Sequence, residues 1–366
     1  MYGAGFHSEP VEEVPQELQR QVAGISVEVQ QQELKEAQSL TNTLQEVTGE
    51  YREKLQAMVG RENLERYFEL RATLRQGVRK LIAEAPATVV GERDIQEARN
   101  EAAEESRAAL KEIGFDMARA SKLRGEYHTR IQELMSEAIG RPEEPNYLVL
   151  PERVPKDIHN PWVTYEPPYP GWAWAWWSGK SDEPHWPIGA RYLNSAAGQL
   201  GTYTRTRVSG ADDSDWSYMG YRTAIRFWYH LPAAGMAEVW MQMQCIDTPY
   251  SGSLHDEWGW SDSACDQESH AYVRVIHPGP GAFRFSTILD YRRTGTDANW
   301  SRHVRWAGDG RWAHIFSAGA YPGGTWLLLE VGTREWNHFW SNDVSVYSAM
   351  TQRWFLRRVY VRSTGE

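Results

Sequence analysis

From Gln16 to Glu84 the apolar residues keep a helical rhythm. Leu40, Leu44, Val47, Tyr51, Leu55 and Met58 fall at steps of three and four, and after one slip Leu64, Phe68, Leu74, Val78 and Leu81 continue the pattern. Glu, Gln, Lys and Arg fill the positions between, so the pattern predicts a helix with a narrow apolar seam and a wide solvated surface. The stretch AEAPATVVGERD breaks it at Pro86 and Gly91, and Asp94 or Glu92 supplies negative charge where a second helix begins. That second segment carries Ile95, Ala98, Ala102, Ala109, Ile113, Ala120, Leu123, Tyr127, Ile131, Leu134 and Ala138 on its seam. Gly140 and Pro142 stop it. Two long amphipathic helices with a short break predict an antiparallel hairpin over residues 16–140. A hairpin this thin has little core of its own. It is expected to bundle with copies of itself, a homotrimer first among the arrangements, or else to fold back as an arm on whatever follows.

After Asn146 the period changes. AIRFWYHL, AEVWMQMQCI, HAYVRVIH, FRFSTILDYRR, HIFSAGAY, TWLLLEVGT and RWFLRRVYVRS are short runs rich in Val, Ile, Tyr, Trp and Phe, bounded by PAAG, HPGPG, RRTGTD, AGDGR and YPGG. Such runs with no helical period between them predict an antiparallel β-sandwich, jelly-roll or lectin-like, over residues 171–366. A Pro-rich linker, residues 141–170, leads into it. Residues 1–15, with two glycines, two prolines and no period, read as a flexible tail that could dock the stalk on a larger particle. The expected fold class is therefore α+β, a helical coiled-coil stalk followed by a Trp-rich sandwich.

Composition sharpens this division. All 18 tryptophans lie at or after Trp162, and residues 1–145 hold 19 Lys+Arg against 27 Asp+Glu while the rest hold 20 against 22. The net charge of −10 and the lack of a basic stripe argue against nucleic acid as a partner. No apolar run is long enough to cross a bilayer, and MYGAGFHSEP has none of the marks of a secretory signal, so a place outside the cell or on a particle surface would need another export route. Cys245 and Cys265 would close a loop of about 20 residues, a staple worth roughly 3 kcal/mol in an oxidising compartment. Two buried thiols are the alternative.

PPYPGWAWAWW, residues 167–177, holds four tryptophans in six positions. In a strand Trp172, Trp174 and Trp176 share one face at about 6 to 7 Å intervals, a spacing that suits successive sugar rings. The small alanines opposite favour instead a strand pressed against a neighbouring surface, with the stripe buried. Trp228, Trp240, Trp326 and Trp354 sit inside strong strand patterns and read as core. Trp216, Trp258, Trp260, Trp336 and Trp340 have polar neighbours, among them Asn337 and His338. A ring flanked by Asp, Asn, His and Ser fits a carbohydrate site, where CH groups stack and polar groups fix hydroxyls, and equally a subunit contact. Asp212, Asp213, Asp215, Asp256 and Asp262 could supply oxygens to Ca²⁺, although they lack EF-hand spacing and solvated acidic loops are commoner. No zinc spacing, phosphate loop or nucleophile elbow occurs, and nothing selects a carboxylate pair for glycoside hydrolysis. The pattern resembles the layout of fibre, spike and adhesion proteins. It implies a non-enzymatic oligomer without cofactor whose head reads a glycan, or a structural subunit with Trp-rich contact faces.

Overall fold

The computed structural model describes residues 1–66, 69, 104, 107–112, 114–139, 162–181, 187–208, 215–245, 248–256, 263–278, 282–295, 297–304, 311–317, 319–341 and 344–365. Its elements are β1 (Tyr2–Ser8), α1 (Gln16–Val59), α2 (Met117–Ile139), β2 (Val163–Tyr165), β3 (Gly171–Lys180), β4 (Ile188–Arg191), β5 (Gln199–Val208), β6 (Asp215–Leu231), β7 (Ala237–Cys245), β8 (Thr248–Asp256), β9 (Ser263–Ile276), β10 (Ala282–Gly295), β11 (Asp297–Val304), β12 (Arg311–Phe316), β13 (Thr325–Ser341) and β14 (Val344–Ser363). Residues 61–66 and 107–112 are also helical.

Two antiparallel sheets face each other. Sheet A runs β1-β3-β6-β13-β9-β10. In sheet B the 20-residue β14 is the spine, pairing with β8 and β5 in its first half and with β7 and β2 in its second, while β11, β4 and β12 extend the edges. Between the sheets, inward residues of β6 (Ile225, Phe227, Tyr229, Leu231), β13 (Leu327, Leu329, Val331) and β9 (Val273, Val275) meet Val239, Met241, Met243, Leu356, Val359 and Val361 of sheet B in one apolar core. Further along the same strands the inward positions become Thr223, Thr333, Glu335, Asn337, Gln267 and Ser269, facing Thr202, Thr204 and Ser348, all fully buried. The interior thus changes from aliphatic to polar along its length.

Over the described residues α1 and α2 pack against each other and against the outer face of sheet A. α1 starts after Pro15 with Glu17 in its first turn and ends at Gly60, whose positive φ of 82° glycine adopts without strain. At 44 residues it is about 65 Å long. Its seam buries Val22, Leu44, Tyr51 and Leu55 as the sequence rhythm requires, but the partners are α2 and the sheet. Tyr51 stacks on Tyr127 of α2 at 4.6 Å, and Val22 packs with Trp228, Leu328 and Ile276 of the sheet. The seam at Leu44, Tyr51, Leu55, Leu64, Tyr127, Ile131 and Leu134 is covered within the chain, as in an arm folded back on the sandwich, while Phe68, Leu74, Val78, Leu81, Ile95, Ala98, Ala102 and Ile113 lie outside the described residues. Polar seam residues make the attachment specific. Thr48 Oγ1 accepts from Trp216 Nε1 at 3.0 Å, Thr41 Oγ1 lies 2.8 Å from the Tyr218 hydroxyl, and Arg226 Nη1 donates to Ser26 Oγ at 3.3 Å.

Three further expectations need correction. The segment read as a tail is β1, paired with β3 along its whole length because its alternation of large and small residues suits that edge. The sandwich begins before residue 171, since β2 lies within the expected linker and pairs with the end of β14. Cys265, on β9 of sheet A, is a buried thiol outside any disulfide, so the expected staple is not formed.

Candidate functional site

β3 sorts its residues strictly by face. Ala173, Ala175 and Trp177 point toward the helices, the two alanines buried where β1, β3 and α1 converge. Trp172, Trp174 and Trp176 point the other way and are all half-buried. What holds those rings is the edge strand. Gly3 pairs with Trp176, Gly5 with Trp174 and His7 with Trp172. A methyl group at Gly5 would come within 2.9 Å of Trp174 Cε2, and one at Gly3 would overlap the Trp176 indole, so each indole lies over a glycine of β1. Any side chain there would push the rings away from the strand.

The three rings therefore form a stripe along the edge of the sandwich, each half-covered and each with area left to solvent. The Arg191 guanidinium, from edge strand β4 of the other sheet, lies 4.0 Å above the Trp174 ring. His7, exposed, sits 6.0 Å from Trp172 at a tilt of 37°. At strand rise the outer rings Trp172 and Trp176 are about 13 Å apart, with Trp174 and its arginine between them. This is an extended aromatic surface with polar groups at intervals. The expectation that the stripe is buried holds only for the undersides of the rings.

The opposite face of sheet A carries the other aromatic set, and there the structure places most of the residues singled out from sequence. Trp216, Tyr218, Trp336 and Trp177 form a ladder with ring centroids 6.1, 5.2 and 5.8 Å apart. Trp216, Trp336 and Trp340 are buried beneath the helices, and His338 is buried in the same face. Asn337 points inward, giving and receiving hydrogen bonds with Ser348 between the sheets. These residues fill an interface inside the chain, because the polar groups flanking them in sequence alternate to the other side of the strand. Asp215 is buried, accepting from Ser181 at 2.9 Å. Trp258, Trp260, Asp212, Asp213 and Asp262 lie outside the described residues, as does the side chain of Asp256. Among the described residues no acid or histidine group is clustered to hold a metal ion.

Under α1 the covered face is fixed by charge. Glu330 of β13 receives Arg226 at 2.7 Å, Arg222 at 2.9 Å and the Tyr272 hydroxyl at 2.8 Å. Glu33 of α1 reaches down to Arg222 at 3.0 Å and Arg274 at 2.6 Å, and accepts from Tyr2 of β1 at 3.1 Å. Burial alone would raise both carboxyls, but the guanidiniums outweigh it and hold each below the usual carboxylate range. A cleft of about 570 Å³ remains beside this network, between α1 and the sheet, with Glu36, Leu40, Arg334 and Trp336 among its walls.

Two other predicted core rings behave differently from each other. Trp354 is in the inter-sheet core. Trp240 instead stands on the outer face of sheet B, stacked on His314 at 4.0 Å, with Glu238 accepting from its indole N–H at 3.1 Å and from Arg362 at 2.7 Å. Sequence reasoning missed Gly3, Gly5, His7 and Arg191 altogether. The signal for the first three was present: the alternation Gly-Ala-Gly in YGAGFH mirrors the Trp-Ala-Trp of β3.

No protein-family profile and no curated protein matches the chain. Among solved structures, a family 11 carbohydrate-binding module from Clostridium thermocellum, in complex with a β-1,3-1,4-mixed-linked tetrasaccharide, aligns over 52% of this chain and 90% of its own at 11% identity, with a TM-score of 0.16. TmCBM61 in complex with β-1,4-galactotriose aligns over 45% and 88% at 10% identity, with a TM-score of 0.12. Likenesses this slight assign neither fold nor function.

Proposed function

We propose that the protein is a non-enzymatic carbohydrate-binding protein that takes a polysaccharide chain along the Trp172, Trp174 and Trp176 stripe. One observation carries this reading: β1 places glycine opposite Trp174 and Trp176, so the indoles lie down on the strand and present area to solvent rather than packing against each other. Pyranose CH groups stack on such faces, and consecutive rings on one strand face recur at intervals of about 6 to 7 Å, the scale of a sugar residue. The helices serve the sandwich from the other side, covering its second aromatic face. No helix among the described residues is long and apolar enough to cross a membrane, and a surface-recognition role outside the cell is the setting in which such a stripe would meet its ligand.

Affinity electrophoresis of the full chain through soluble polysaccharides, read together with tryptophan fluorescence, tests the assignment. The double substitution Trp172→Ala with Trp176→Ala is expected to weaken binding at least tenfold, about 1.4 kcal/mol, while leaving the melting temperature nearly unchanged. Wild-type binding by that variant, or failure of the wild-type chain to bind any polysaccharide, would overturn the reading.

A further inference from the structure

The stripe has a charge as well as a shape. Its face is built from Trp172, Trp174, Trp176, Ser178 and Lys180 of β3 and from Gly3, Gly5 and His7 of β1, and in a protein of net charge −10 none of these described residues is a carboxylate. Above it stands Arg191, exposed, its guanidinium carbon 4.0 Å over the centre of the Trp174 ring. It forms no ion pair with any described carboxylate. A guanidinium resting over an indole still has N–H groups with which to meet an oxyanion, and the ring contact limits where the head can go. The central ring, with Gly5 below it and the guanidinium above, has little area left for a sugar. Trp172 and Trp176 do the stacking, and Arg191 between them receives whatever the intervening sugar presents.

Resting on the carbohydrate reading above, we infer that the ligand is an acidic polysaccharide, carrying a carboxylate or sulfate on the residue that lies between the two outer rings and pairs with Arg191. A neutral glycan would leave this cation facing hydroxyls alone. The acidic one gains a charge-assisted contact that weakens with added salt because the site is open to solvent.

The experiment compares the full chain and its variants Arg191→Met and Arg191→Lys on three soluble polymers: a neutral β-glucan, polygalacturonate and chondroitin sulfate, each at low and raised NaCl. The wild type is expected to bind one of the acidic polymers at least tenfold more tightly than the neutral one, with the difference shrinking in salt. Methionine keeps the apolar cover on Trp174 and should erase the preference for the acidic polymer over the neutral one, and lysine should restore part of it. Which acidic polymer is preferred distinguishes carboxylate from sulfate, and either supports the inference. Equal binding of neutral and acidic polymers, or a preference unchanged in Arg191→Met, would overturn it while the stripe as a glycan surface stands. Silence toward all three would remove both.

Discussion

Sheet A has two aromatic faces that start from the same residue types and end in opposite states. On one, Trp177, Trp216, Tyr218 and Trp336 lie under α1 and α2, their ladder tied to the helices through Thr41 and Thr48. On the other, Trp172, Trp174 and Trp176 lie on a strand of alternating glycines and remain half-open. The difference is made by what covers each face. A 44-residue helix with polar groups at positions 26, 33, 41 and 48 of its seam closes the first, and two glycines support the second without closing it. Aromatic content alone therefore does not mark a ligand surface. The test of a ring is what it rests against.

The largest way to break this comparison is to unfasten the covered face. Glu330 is fully buried and is the anion for Arg226, Arg222 and, at 3.9 Å, Arg274. Glu330→Gln keeps the shape but leaves guanidiniums buried without their counter-charge, and removing one partner of a buried pair typically costs about 3–5 kcal/mol. Denaturant unfolding should show a loss of that size. Because the same network reaches α1 through Glu33, amide exchange in α1 should speed up before the sandwich itself opens. A loss below about 1 kcal/mol would mean that the helix cover does not depend on this network.

The open face breaks with less energy and more specificity. Gly5→Val suits a strand by propensity yet drives its side chain into the Trp174 indole. Overpacking of this kind costs about 1–3 kcal/mol. Glycan binding should fall with it, because Trp174 and the Arg191 resting on it are displaced together. If the valine variant binds as well as wild type, the rings are not positioned by β1.

How much of this was legible beforehand follows from the range of the forces involved. The seam of α1 was readable because periodicity is local: Leu44, Tyr51 and Leu55 recur at helical steps whatever they pack against. Their partner was not, since Trp228 and Ile276 are more than 200 residues away from Val22 and no local pattern encodes that contact. β13 and β14 were readable as strands from their aromatic and β-branched runs, but the polar neighbours of Trp336 in sequence misled, because alternation in a 17-residue strand sends Glu335 and Asn337 to the opposite face. The tryptophan stripe was plain in sequence. Its openness depended on β1, seven residues at the far end of the chain whose two glycines looked like disorder.

A pH-dependent effect concerns the layer that both faces share. Glu335 is fully buried between the sheets, and burial pushes its carboxyl up to about 8, a rise only partly offset by the hydroxyls of Thr333 and Thr202. In the unfolded chain the same group loses its proton near 4.5. Between those values the folded state holds a proton that the unfolded state has released, so stability falls as pH rises, by at most about 1.4 kcal/mol per unit, and the loss is complete above the upper value. Glu335→Gln removes this dependence and should make the protein more stable than wild type above pH 8, with the two curves converging below pH 4.5. Unfolding midpoints measured from pH 4 to 9 decide it. Parallel curves would show Glu335 ionised in the fold, with the hydroxyls of Thr333 and Thr202 then outweighing the burial that opposes its charge.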